Sequence, residues 1–296
     1  MGASMGACPA GTRLLVALYA AGTAGVGCAA MAMRDGGSAL SIAKLQARLI
    51  CSLSTVVGRK LYWGLLTSMF HRPLGDAVDA VMAALELQMA VEHLAVQERR
   101  QGTSRFLGWA AFSTVGVNAT FLALMRYLGS TGDRHARFMA IQGLWPLASV
   151  CMTLRALEAP HALVRVLGMA EVPSKWYPAS LALGISALRG AMQWDMLAAI
   201  ACGHAAQALR LEDRLVLSRR AAAALERQWL PRACARALCR LLGGGWVPAD
   251  PDGRDGSRPE IGRGSGGRGS GGPPPPPPAP AAGFRIFGGQ GRRLRD

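Results

Sequence analysis

His204 is a potential general base, Ser149 and Cys202 are potential nucleophiles, and Asp195 is the acid that could orient the imidazole. Their spacing works against hydrolytic chemistry. A nucleophilic serine of the G-x-S-x kind follows glycine, and the corresponding run here reads Gly143-Leu144-Trp145-Pro146. Ser149 lies beyond Pro146 without a glycine pair ahead of it. Asp195 and His204 are nine residues apart, and at about 100° per residue they fall on opposite faces of a helix. Cys202 sits among apolar residues, where burial raises a thiol's pKa and suppresses the thiolate. No catalytic set is expected, and the chain reads as a non-enzyme. The seven cysteines (Cys8, Cys28, Cys51, Cys151, Cys202, Cys234, Cys239) form no C-x-x-C and no spacing paired with histidine. That scatter argues against a zinc site or a disulfide scaffold, and no cofactor or metal is expected.

A second constellation is acidic. Asp76, Asp79, Glu86 and His93 recur at helical spacing on one stripe with Ala83 and Ala90, inside an otherwise apolar run from Leu74 to Val96. Charges within a hydrophobic span face a bundle interior or a wet cavity, because lipid solvates them poorly. Asp76, Asp79 and Glu86 are therefore candidate cavity residues, with Gln193 and Asp195 facing them from a later helix; the alternative is a surface amphipathic helix over Leu74 to Val96.

The elements that must position these groups are hydrophobic spans. A bilayer core asks for about 20 mostly apolar residues per helix. Leu14 to Met33 carries no charge and reads as a first membrane helix, with a cleaved signal peptide as the alternative. Leu74 to Val96 is the second span, Phe106 to Leu124 the third and Phe138 to Leu154 the fourth. Trp176 to Leu188 and Ala191 to Leu209 form an antiparallel hairpin across Arg189-Gly190. The expected fold is an all-α, polytopic six-helix bundle with both termini on one side of a lipid bilayer. The Asn118-Ala119-Thr120 sequon lies inside the third span, out of reach of a glycosyltransferase.

The net charge is +15, and the excess arginines are concentrated after Leu209. They lack interleaved aromatics for base stacking, so nucleic acid is not an expected partner. Positive-inside topology and an anionic leaflet account for them, which puts the tail and both termini in the cytosol. Four regions follow: a membrane domain over 1–211, a basic amphipathic segment over 212–242, a disordered Gly/Ser/Pro-rich linker over 243–282, and a terminal motif over 283–296.

That terminal motif reads Phe287-Gly288-Gly289-Gln290-Gly291-Arg292-Arg293-Leu294. It suits an extended ligand, whose glycines let the backbone approach a partner while Phe287 and Leu294 fill pockets. It resembles the F-x-G-x-G-x-x-L segment with which cofactors of the valosin-containing-protein AAA ATPase dock on that enzyme. Phe287, Gly289, Gly291 and Leu294 occupy the four defining positions.

The body resembles the derlins, rhomboid-like pseudoproteases of endoplasmic-reticulum-associated degradation. Trp63, Thr67 and Phe70 are similar to the family's W-R-x-x-T-x-x-F loop, with Gly64 standing where the family has arginine. Gly102-Thr103-Ser104-Arg105-Phe106 is similar to the G-R-T-A-D-F entry to the third helix. Pro160 and Gly168 sit at the family's spacing, and Trp176-Tyr177-Pro178 with Gly184 resembles the start of its fifth helix. Asp195, then Ala199, Gly203 and His204, resemble a sixth helix whose G-x-x-x-G-H packs closely; Ala199 replaces the first glycine. Glu212-Asp213 follows as an acidic pair does in some members.

The resemblance implies a multi-pass endoplasmic reticulum protein with a hydrophilic cavity, used in retrotranslocation of misfolded clients. The implied partners are the AAA ATPase, a ubiquitin ligase complex, the clients, and homo- or hetero-oligomers with other derlins. The alternatives are a derlin-like import component in the plastid-surrounding membrane of a complex alga, an active intramembrane protease, and a secondary transporter.

Overall fold

The computed structural model describes residues 8–34, 49–166, 170–209, 221, 222, 224 and 246–248. Helix dominates. α1 spans Ala10–Arg34, α2 Gly64–Thr67, α3 Ala77–Gln101, α4 Thr103–Ser130, α5 Trp145–Glu158, α6 Tyr177–Arg189 and α7 Trp194–Ala208. Each of the six expected hydrophobic runs overlaps one long or medium helix, the fourth only from Trp145 onward. Among the described residues, Thr103–Ser130 is the helix long and apolar enough to cross a membrane.

The helix ends follow from local chemistry. Asp76 caps α3 by accepting the Asp79 N–H at 2.7 Å, and Asp79 adds a second negative charge to the first turn. Gly102, at φ 81°, adopts a backbone that suits glycine; it ends α3 and directly opens α4. Pro146 and Pro178 occupy first-turn positions of α5 and α6, where no amide hydrogen is needed. Gly190 closes α6 in the left-handed region, donating its N–H to Ser186 and Ala187 carbonyls.

Two departures from an all-α reading appear. Cys51–Ser52 (β1) pairs antiparallel with Ala140–Ile141 (β2), and Leu163–Val166 (β3) pairs with Ala170–Pro173 (β4). In the second ribbon Arg165 stands opposite Glu171 and bonds it at 2.9 Å. The first ribbon also displaces the expected fourth span. Phe138 to Leu144 is a turn, a strand and a positive-φ glycine, Gly143, so the helix begins at Trp145. Hydropathy cannot separate a short apolar strand from the first turns of an apolar helix.

α5 is buried on nearly all sides, from Trp145 to Leu154 and at Ala156. It packs against α3, α4, α6 and α7 and forms the centre of the bundle. Contacts at the helix ends give the directions. The head of α1 meets the end of α3 through Glu98, and Arg100 of α3 pairs with Glu158 at the end of α5. The end of α6 meets the start of α3 through Arg189 and Asp79. Neighbours in sequence therefore alternate in direction, as an up–down bundle requires.

Candidate functional site

Glu86 lies two helical turns inside α3 and is fully buried. Its carboxylate accepts from Arg72 Nη1 at 2.7 Å, from the Trp145 N–H at 2.7 Å and from the Tyr19 hydroxyl at 3.1 Å. One side chain thus ties together α1, the loop before α3, and the start of α5. A Cβ at Gly143 would collide with Glu86 Oε1, so this approach requires glycine there. Arg72 is buried too, and its backbone N–H donates to Thr23 Oγ1 at 3.2 Å. A buried ion pair is tolerable only when its polar atoms find partners, and here the carboxylate has three donors.

The other acidic candidates sit at the mouth of the bundle. Asp76 is exposed and occupied with capping. Asp79 pairs with Arg189 at 3.2 Å and accepts the Gly75 N–H at 3.2 Å. Asp195 is half-buried in the first turn of α7, accepts the Met196 N–H at 2.8 Å, and feels both Arg72 and Arg189. Gln193 is held in the hairpin, its N–H on Ser186 Oγ at 3.0 Å and its side-chain amide on Ala191 O at 3.1 Å. The structure therefore gathers Asp76, Asp79, Gln193 and Asp195 at one end with Arg189, and seals Glu86 beneath them.

The loop that carries Trp63, Thr67 and Phe70 is anchored to the bundle. Trp63 is exposed, Thr67 Oγ1 donates to its carbonyl at 3.1 Å, and the Phe70 carbonyl presses on Gly22 of α1. Gly64 is buried, and a Cβ there would stand 3.0 Å from the Ile50 carbonyl. Arg72, two residues beyond Phe70, reaches inward to Glu86. Asn118, buried in α4, donates to Leu65 O at 2.6 Å and to Ser68 Oγ at 3.0 Å. It serves as the loop's anchor. Nearby, burial pushes the Cys51 thiol up to about 12 and lowers the His71 imidazole from its ordinary range.

The hydrolytic residues are not brought together. His204 is exposed on α7, whereas Ser149 is wholly buried in α5 with its hydroxyl unpartnered among the described residues. Asp195 stands at the opposite end of α7 from His204. Cys202 is half-buried, facing Gly116 of α4. Ala199 and Gly203 are buried, and a Cβ on Gly203 would come within 2.9 Å of Thr153 Cβ on α5. That stripe brings α7 and α5 close together, while its neighbour His204 points away.

A second buried carboxylate was not singled out from the sequence. Glu98 accepts the Gly11 N–H at 2.8 Å and the Thr12 N–H at 2.6 Å, so it caps the head of α1. It also accepts from the hydroxyls of Thr12 at 2.8 Å and Thr103 at 2.6 Å. The available signal was electrostatic. An acid in the last turn of a helix opposes that helix's own dipole, and so calls for an outside donor; the N-terminus of α1 supplies it.

Phe287, Gly289, Gly291 and Leu294 lie outside the described residues, as does most of the linker. Comparisons of the chain with family models, with curated proteins and with solved structures found no match.

Proposed function

We propose that this chain is a non-enzymatic, derlin-like adaptor of the endoplasmic reticulum membrane that recruits a valosin-containing-protein-type AAA ATPase to withdraw misfolded clients. The observation that carries the reading is the terminal octapeptide, with Phe287, Gly289, Gly291 and Leu294 on all four positions of the docking pattern. The bundle supports it in three ways. Its six main helices alternate in direction, as six membrane passes with cytosolic termini require. His204 faces outward, far from any environment that would activate Ser149. A cluster of Asp79, Arg189, Asp195 and Gln193 gives one end of the bundle a polar mouth, which suits a polypeptide entering from an aqueous lumen. A ubiquitin ligase complex stands beside the ATPase as a proposed partner.

The ATPase docked on the tail is held near the bundle at a local concentration of about the millimolar range. The peptide itself then needs only modest affinity. Phe287→Ala with Leu294→Ala removes both pocket-filling side chains. Each buried anchor is worth about 2 kcal/mol or more, so losing both should lower capture of the ATPase in mild detergent by about several hundred-fold. Membrane insertion should be unchanged. Undiminished capture by the double variant defeats the reading.

A further inference from the structure

An α-helix leaves its first N–H groups without intrahelical partners, and a polar side chain at the cap position usually supplies an acceptor. α4 begins differently. Its cap residue is Gly102, which has no side chain and is committed to φ 81° by the turn out of α3. The Thr103 N–H donates instead to the Val247 carbonyl at 2.7 Å, across 144 residues of sequence. The Val247 N–H answers by donating to Thr103 Oγ1 at 3.0 Å. Thr103 is almost wholly buried, and the same hydroxyl gives its own proton to Glu98 Oε1 at 2.6 Å.

We propose that Trp246-Val247-Pro248 is a docked strap, a piece of the chain's own tail whose binding site is the turn between α3 and α4. The local sequence of the strap suits this. A residue before proline is biased to extended backbone, so Pro248 holds β-branched Val247 in the conformation that a reciprocal pair of hydrogen bonds needs. The site is equally prepared. Glu98, fixed by Gly11 and Thr12 of α1, orients the Thr103 hydroxyl so that a lone pair faces the Val247 amide. The strap therefore anchors the tail at the end of the bundle where α1 begins. Where the terminal peptide does recruit an ATPase, a consequence that rests on the reading above follows. The tether from anchor to Phe287 is 40 residues from Val247, against 78 from Leu209. Docking thus shortens the tether and raises the local concentration of the ATPase.

Hydrogen–deuterium exchange on the full chain in mild detergent, without any ATPase, tests the strap directly. Val247→Pro deletes the amide that reaches Thr103. The Thr103 amide should then exchange about fivefold faster, the equivalent of one ordinary hydrogen bond, with α5 unchanged. Equal exchange in the two proteins overturns the proposal. Should Val247→Pro also loosen α5, a second pair of variants decides. Thr103→Val should unprotect the Val247 amide and Thr103→Ser should preserve it; identical behaviour of the two sinks the strap. Because no partner enters the measurement, its failure leaves the octapeptide assignment standing, and failure of ATPase capture leaves the strap standing.

Discussion

Glu86 and Arg72 illustrate how a charge survives inside an apolar bundle. Neither is stabilising simply by attraction, since each loses its hydration on burial, and that loss rivals the Coulomb gain. What makes the pair tolerable is that the Tyr19 hydroxyl and the Trp145 N–H also bond Glu86, leaving little of the carboxylate unsatisfied. Removing one partner should therefore be worse than removing both. Arg72→Met strands a buried carboxylate and should lower unfolding free energy by about 3–5 kcal/mol. Adding Glu86→Leu removes the stranded charge but leaves the Tyr19 and Trp145 donors without an acceptor, so it should restore about half of that loss. Denaturant unfolding in mild detergent distinguishes the cases; a double variant less stable than Arg72→Met alone would show that the carboxylate is not stranded.

At the scale of elements, the most extensive helix–helix seam is between α5 and α7. Gly203 meets Thr153 so closely that even a methyl group must displace it. Gly203→Ala should cost about 1–3 kcal/mol through overpacking, despite alanine's better helix propensity. Gly108 of α4 has nothing within 4 Å of its would-be Cβ. Gly108→Ala should therefore keep the propensity gain of about 1 kcal/mol. The two variants, compared by thermal unfolding, should move in opposite directions, and movement in the same direction would refute close packing at Gly203. The same elements mark what was legible in advance. Helix positions could be read because apolar runs of helical length are a sum over many residues, insensitive to any one. The stripe of Asp76, Asp79, Ala83, Glu86, Ala90 and His93 was readable for the same reason, but only Glu86, Ala90 and His93 face the interior; Asp76 is exposed, and Asp79 and Ala83 are half-buried. The ribbon of Cys51 and Ile141 was not, because its pairing joins segments some ninety residues apart and leaves no local pattern. Glu98 escaped for a related reason: its donors, Gly11 and Thr12, are remote in sequence and backbone amides have no residue signature.

The whole molecule is uneven in height. α1 and α3 have 25 residues and α4 has 28, whereas α5, α6 and α7 have 14, 13 and 15. At a rise of 1.5 Å per residue the first group exceeds a hydrocarbon core of about 30 Å, and the second reaches only about 20 Å. α5 is shielded at the centre, so under the proposed membrane function lipid would meet the short side through α6 and α7, where Leu183 and Leu188 are exposed. Long helices adapt by tilting, but short ones cannot lengthen, so on that reading the bilayer would thin beside α6 and α7 or admit water. A thinner barrier beside the polar mouth of Asp79, Arg189 and Asp195 would favour passage of a hydrophilic chain along that side. Mismatch costs fractions of a kcal/mol per Å, so a shortfall of about 10 Å amounts to a few kcal/mol. Reconstituted into phosphatidylcholine bilayers of increasing acyl length, the protein should lose stability steadily as the bilayer thickens. Gly190, at the turn between the short helices, makes the idea specific. Lengthening α6 and α7 by one leucine-rich turn each, on either side of that turn, should shift the optimum toward thicker bilayers. A thermal midpoint that rises with acyl length in the unmodified chain, or an optimum indifferent to the added turns, would mean that the short helices do not set the local thickness.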